Sequence, residues 1–123
     1  MVKLIFCLRR RPDVSEEEFH RYWRREHGAL VARHAPALGI RRYVQLHTVS
    51  GPVNALLAAT RGSPEAYDGV AELWFDDTDA LVGRAVTEAG RAAAGDLARD
   101  EARFIDHSRS PLFVADEYPV IGE

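Results

Sequence analysis

Gly69-Val70-Ala71-Glu72-Leu73-Trp74-Phe75 is the stretch whose reading decides the fold. Its side chains alternate with the period of a β-strand. Ala71, Leu73 and Phe75 point to one face, and Val70, Glu72 and Trp74 to the other. The first set belongs over a core. The second mixes an aromatic, an aliphatic and a carboxylate, so it belongs neither to a dry core nor to an ordinary solvated face.

Working outward, Asp76 or Asp77 caps a helical region over 78–104, with a break near 87–90. Leu81, Ala85, Ala93, Leu97 and Phe104 are its expected buried positions. Upstream, residues 40–48 form another strand, with Val44 and Leu46 toward the covered face and Tyr43, Gln45 and His47 toward the open one. Residues 49–68 make a long connection holding a short helix at 54–59, ended by Gly62. Connections of that length often serve as lids or rims of a site.

At the N-terminus, residues 2–8 are β-rich and end at the charged turn Arg9-Arg10-Arg11-Pro12-Asp13. Ser15 is an N-cap, and Glu18 can complete a capping box, with Val14 and Phe19 as the hydrophobic staple. Phe19, Tyr22, Trp23, Leu30, Val31 and His34 recur at helical spacing. Gly28 interrupts them and predicts a kink or a second helix after His27, and Pro36 and Gly39 close the region. A last strand falls within 111–120. The order is β-α-β-β-α-β, an α+β, ferredoxin-like arrangement of four antiparallel strands with helices on one face. One domain over 1–123 is expected.

Composition narrows the function. The chain is 46% hydrophobic and 28% charged, which excludes a disordered chain. A net charge of −3 argues against a nucleic-acid binder. No apolar run reaches the ~20 residues of a membrane span. The apolar N-terminal stretch reads as a strand and not a signal peptide. A single cysteine, Cys7, allows no internal disulfide, and a cytoplasmic location is expected.

Helices can cover one face of such a sheet. The other would expose Tyr43 and Trp74 among Gln45, His47, Val70 and Glu72, a patch of the kind that marks an interaction. A second copy packing face to face covers it, giving a homodimer. The polar members predict a cavity between the sheets, because each needs a hydrogen-bond partner.

His20-Arg21-Tyr22-Trp23 and His27-Gly28-Ala29-Leu30-Val31 resemble the "YW..HG-P-L" helix segment of the EthD family. Tyr67-Asp68 running into residues 69–75 is similar to that family's third-strand signature, and Phe104-Ile105-Asp106 also fits. Ala29 departs from the pattern, where the family often has proline. The resemblance implies a dimeric α+β barrel. It gives the reaction only as a class: relatives include an accessory protein of ether degradation and fungal dehydratases of polyketide pathways. The wider superfamily adds cofactor-free monooxygenases, cyclases, lactone isomerases and haem-degrading enzymes.

The candidate catalytic residues are His47, Glu72 and His27. Histidine exchanges protons near neutral pH, and a desolvated glutamate can join it. Tyr43, Gln45, Trp74, Trp23 and His34 are the candidate substrate contacts. Plainer roles stand beside these: an interface hydrogen bond for His47, an ion pair with Arg41 or Arg42 for Glu72, and a helix-terminal charge for His27. His20 reads as a solvated residue of the outer helix face, and Arg9 to Arg11, Arg24 and Arg25 as solvated turns and helix faces, some at most steering an anionic substrate.

No cofactor and no metal is called for. His20, His27 and His34 are seven residues apart, ~10.5 Å per step along a helix, too far to share a metal with ligand bonds of ~2.1 Å. Asp106-His107-Ser108 holds triad residue types, but as neighbours they point apart. The reading is a cofactor-independent dehydratase, cyclase or monooxygenase for a hydrophobic aromatic or polyketide-like molecule. The alternative is a non-catalytic binding protein of a degradation pathway, or less favourably a haem binder.

Overall fold

The computed structural model describes residues 1–122. Its elements run β1 (Val2–Leu8), α1 (Glu16–Tyr22), a π-helical turn (Trp23–His27), α2 (Gly28–Leu38), β2 (Arg42–His47), α3 (Val53–Arg61), β3 (Gly69–Phe75), α4 (Thr78–Ala85), α5 (Glu88–Glu101), a short 3-10 turn (His107–Arg109) and β4 (Leu112–Asp116). The sheet order is β2-β3-β1-β4, with every neighbouring pair antiparallel. This is the ferredoxin-like α+β architecture that the sequence predicts. Among the described residues, no helix is long and apolar enough to cross a membrane.

The helix starts follow from side-chain caps. The N–H of Glu18 donates to Ser15 Oγ at 3.1 Å, that of Ala80 to Asp77 at 2.7 Å and that of Gly90 to Thr87 at 2.9 Å. Glu18 does not close a capping box, because its carboxylate is held by Arg21. Helix α2 runs past Pro36 and stops at Gly39, whose φ of 73° reverses the chain and lets the N–H of Ile40 reach Ala35 O at 3.0 Å. A second helix, α2, does begin after His27, as Gly28 predicts, but it continues the first without a loop. The first helix and α2 are joined through the π turn, in which the N–H of Gly28 reaches back five residues to Trp23 O.

The core lies between sheet and helices. Leu8, Phe19, Trp23 and Phe104 are fully buried, joined by Phe6, Ala71 and Ile105, with Val14, Tyr43 and Leu73 packed against them. Helices α2 and α5 are tied by His34 and Asp96, 2.7 Å apart. His34, a candidate substrate contact from the sequence, is thereby turned toward α5 and lines neither of the two clefts described below.

One expectation is overturned here. The register pairs Tyr43 with Leu73, Gln45 with Ala71 and His47 with Gly69. Directly paired residues share a face, so Tyr43, Gln45 and His47 lie beneath the helices. Val44 and Leu46 lie on the open face with Val70, Glu72 and Trp74. A one-residue change of facing inverts every side chain of a strand. Here the polar set goes inward because the helices supply its hydrogen-bond partners.

Candidate functional site

The site is assembled where β2 meets the first helix and the π turn. Ser15 starts that helix, Phe19 anchors it in the core, and His20 and Trp23 therefore fall over the end of β2. Trp23 lies across β3 because position 69 is glycine. A Cβ there would stand 2.4 Å from the Trp23 ring. The indole in turn lies 4.4 Å from the His47 ring, centroid to centroid.

A continuous hydrogen-bond chain follows. Trp23 O can only accept, so the Gln45 amide nitrogen, 2.8 Å away, donates to it. The same nitrogen donates to the Tyr43 hydroxyl at 2.9 Å. This turns Gln45 Oε1 toward His47 Nε2, at 2.8 Å, and that nitrogen must carry a proton. In the neutral ring Nδ1 is then an acceptor. It sits 2.7 Å from His20 Nδ1, which must donate. In neutral His20 the chain therefore ends at Nε2, which then carries the open lone pair.

The electrostatics agree with this polarity. Burial, then the proximity of His20, which opposes a second proton whenever it carries one, and of the Arg24 cation hold His47 below the ordinary histidine value, so it stays neutral at pH 7. Burial pushes the Tyr43 phenol up, so it remains a neutral partner.

His20 borders two adjoining clefts. One, of about 620 Å³, is lined by Arg21, Arg24, Arg25, Gln45 and His47 with His20 and Thr48. The other, of about 510 Å³, also holds His20 and Thr48 and extends to the small side chains Ala55, Ala58 and Ala59 of α3 and to Tyr67. The long connection does rim this site. Its far end is pinned by Arg9, which donates to the carbonyls of Ala66 at 2.6 Å and Glu65 at 3.0 Å and stacks on the Tyr67 ring. Arg9 is thus a structural clamp, not a solvated turn residue.

The other expected site residues lie elsewhere. Glu72 is on the opposite face of the sheet from His47, 3.4 Å from Lys3. Its partner is a neighbouring-strand lysine, not Arg41 or Arg42. Trp74 shares that face, held between Lys3 and Arg42 with each cation 4.5 Å from its ring. His27 is 4% exposed and bonded at 2.8 Å to Asp100, which also accepts from the Tyr22 hydroxyl at 2.6 Å. It fastens the π turn to α5 and reaches neither cleft. Cys7 is half-buried, and burial raises its thiol, which disfavours the nucleophilic thiolate. Among the described residues, no cluster of three or more His, Cys, Asp or Glu could hold a metal ion.

Sequence reading missed His20. The signal was present: residues 20, 23, 24 and 27 follow one helical stripe, three or four apart. His20 could have been placed with Trp23 instead of with the solvated charges.

A family model for the EthD domain matches residues 11–108. The chain belongs to the EthD family. This is the family that the helix and third-strand motifs resemble. Among solved structures, this EthD chain is similar to an EthD-family protein of Bacillus halodurans, with 24% identity over 96% of this chain and 99% of that one and a TM-score of 0.62. It is similar to a dimeric protein of ferredoxin-like fold from Bacteroides fragilis, with 18% identity, coverages of 94% and 95%, and a TM-score of 0.56. It is also similar to SnoaB, a cofactor-independent oxygenase from Streptomyces nogalater, with 14% identity, coverages of 99% and 97%, and a TM-score of 0.56. At these identities the likeness speaks to the fold. No protein of curated function matches the sequence.

Proposed function

We propose that this EthD protein is a cofactor-independent enzyme that takes a proton from an activated carbon of a hydrophobic, aromatic or polyketide-like molecule. The dehydratase, cyclase and monooxygenase classes all share that first step. The observation that carries the reading is the oriented chain Gln45–His47–His20, which in neutral His20 puts the proton on Nδ1 and the lone pair on Nε2, in a side chain that borders both clefts. His20 is the general base. His47 fixes its tautomer through the Nδ1 contact and stabilises the imidazolium that forms, as the third member of an acid–base relay does. Gln45 and Tyr43 position His47, and Trp23 packs its ring. Glu72 and His27 have no part in the step. The similarity to a cofactor-independent oxygenase supports the class of chemistry.

The enzyme is further proposed to work as a homodimer. Ile5, Val44, Leu46, Val70 and Phe113 share the open face, and Leu46 and Phe113 are about half exposed. The active cleft lies on the other side of the sheet, so pairing leaves it accessible.

The test is deuterium incorporation from D2O at the acidic carbon of anthrone and of anthrone-2-carboxylate, followed by NMR. The wild type is expected to speed exchange of at least one. His20→Gln should lower that rate by about 10²–10⁴-fold, and Glu72→Gln should leave it unchanged. Exchange that survives His20→Gln refutes the general-base role. Tight binding without exchange favours the non-catalytic alternative, a small-molecule binding protein.

A further inference from the structure

The two clefts that meet at His20 differ in charge. The first presents three guanidinium groups, Arg21, Arg24 and Arg25. Arg21 is occupied, bonded to Glu18 and to Glu26. Arg24 and Arg25 make no ion pair and no side-chain hydrogen bond among the described residues.

The inventory of hydrogen-bonding groups points the same way. Gln45 Oε1 is taken by His47, and His47 Nδ1 by His20. The proton-transfer chain therefore offers one open acceptor, His20 Nε2, beside two guanidinium groups that can only donate. A molecule that fits has a transferable proton and, next to it, an anion able to accept several N–H donors. Arginine suits carboxylate for this reason, since its fork can donate two parallel bonds to one group.

The second cleft limits where the charge sits. Its walls join the small side chains Ala55, Ala58 and Ala59 of α3 to the neutral polar groups of Ser50, Asn54 and Ser63, and the exposed Glu16 and Glu65 also line it. Those exposed carboxylates repel a second anion at that end. The charges therefore fix an orientation: anion toward the π turn, apolar body toward α3.

We propose that Arg24 and Arg25 bind the carboxylate of a mono-anionic substrate whose apolar body lies along α3 and whose acidic C–H faces His20. This names the substrate class and rests on the proton-transfer reading of His20 and His47. The carboxylate also places a negative charge near Arg24, which otherwise bears on His47. Substrate binding thus offsets the cation that opposes protonation of the relay.

The experiment compares 2-naphthoate with its neutral analogue 2-naphthamide by calorimetry, with the ring signals of His20 and His47 followed by NMR. The naphthoate is expected to bind at least about 10-fold more tightly and to lose that advantage in Arg24→Ala/Arg25→Ala. Its affinity should also fall with added salt, as expected of exposed charge pairs. Arg33→Ala, on α2 and outside both clefts, should bind as the wild type does. Equal affinity for the two probes, or a naphthoate affinity untouched in the double variant, overturns the anion assignment. If the neutral probe still moves the His20 and His47 signals, the proton-transfer site survives that result. If neither probe moves those signals, both readings fall together.

Discussion

The two faces of one sheet have been put to opposite uses. Beneath the helices, polar side chains of β2 are bonded end to end, and His47, Gln45 and Tyr43 satisfy one another. On the open face the strand interior is aliphatic, with Ile5, Val44, Leu46 and Val70. Polar groups gather at one end, where Lys3 reaches Glu72 at 3.4 Å and Glu117 at 2.9 Å. The difference shows where each kind of burial is affordable. Polar groups can be withdrawn from water where a helix supplies a carbonyl such as Trp23 O and a histidine such as His20. Where no helix lies above the sheet, the side chains are mostly apolar, ready to be covered by a like surface.

This contrast can be broken from either side. The largest effect is expected on the open face. Leu46→Asp replaces a half-exposed leucine of the proposed contact by a charge and should weaken the dimer by about 100-fold or more. Light scattering over a dilution series would read this, and exchange activity per chain should persist at monomer mass. A wild type that runs as a monomer at every concentration would dismiss the dimer.

Next comes Gly69→Ala, on the covered face. The new methyl meets the Trp23 ring, so the indole must leave its seat. Overpacking of this kind costs about 1–3 kcal/mol, measurable by urea unfolding. The more telling readout is the His47 ring signal, which should lose the shift imposed by Trp23. Stability and spectrum both unchanged would mean that Trp23 does not rest on position 69.

The smallest effect concerns pH. His47 is held below the ordinary histidine value of 6.5 in the folded chain. An unfolded chain therefore takes up the proton first as pH falls. The stability linked to this group is complete above pH 6.5 and is lost as pH drops through the lower, folded value. Wild type minus His47→Gln should show this slope in denaturation between pH 7.5 and 5. Activity should decline in the same direction as His47 gains charge. A difference flat across that range would contradict the buried, neutral His47.

Much of the fold was legible because it depends on local signals. Residues 69–75 alternate cleanly, and the strand spans those residues in the structure. Ser15 announces the first helix, and the break between α4 and α5 falls at Val86 and Thr87, beside the expected position. The facing of β2 was not legible, for a specific reason. Val44 and Leu46 look like core residues and Tyr43, Gln45 and His47 look like surface ones. The groups that reverse this choice, Trp23 O and His20, lie more than twenty residues away in another element. The same non-local fact hid the site. Tyr43, Gln45 and His47 were picked out from their strand, yet paired with Glu72 and Trp74 across a sheet that separates them. His27 was noticed for its place in the helix motif, but its buried bond to Asp100 is a fastening.

The π turn has one more consequence. An α-helix advances about 100° per residue, so one extra residue in a turn rotates all that follows by roughly that angle. From Glu16 to Leu38 the chain is one nearly unbroken rod. Its first half must aim His20 and Trp23 at the edge strand, and its second half must aim His27, Val31 and His34 at α5 and the core. The wide turn acts as a phase shifter that lets a single rod obey both demands. Removing one residue from 23–27 would leave the rod intact as a helix and aim its two halves at the wrong neighbours.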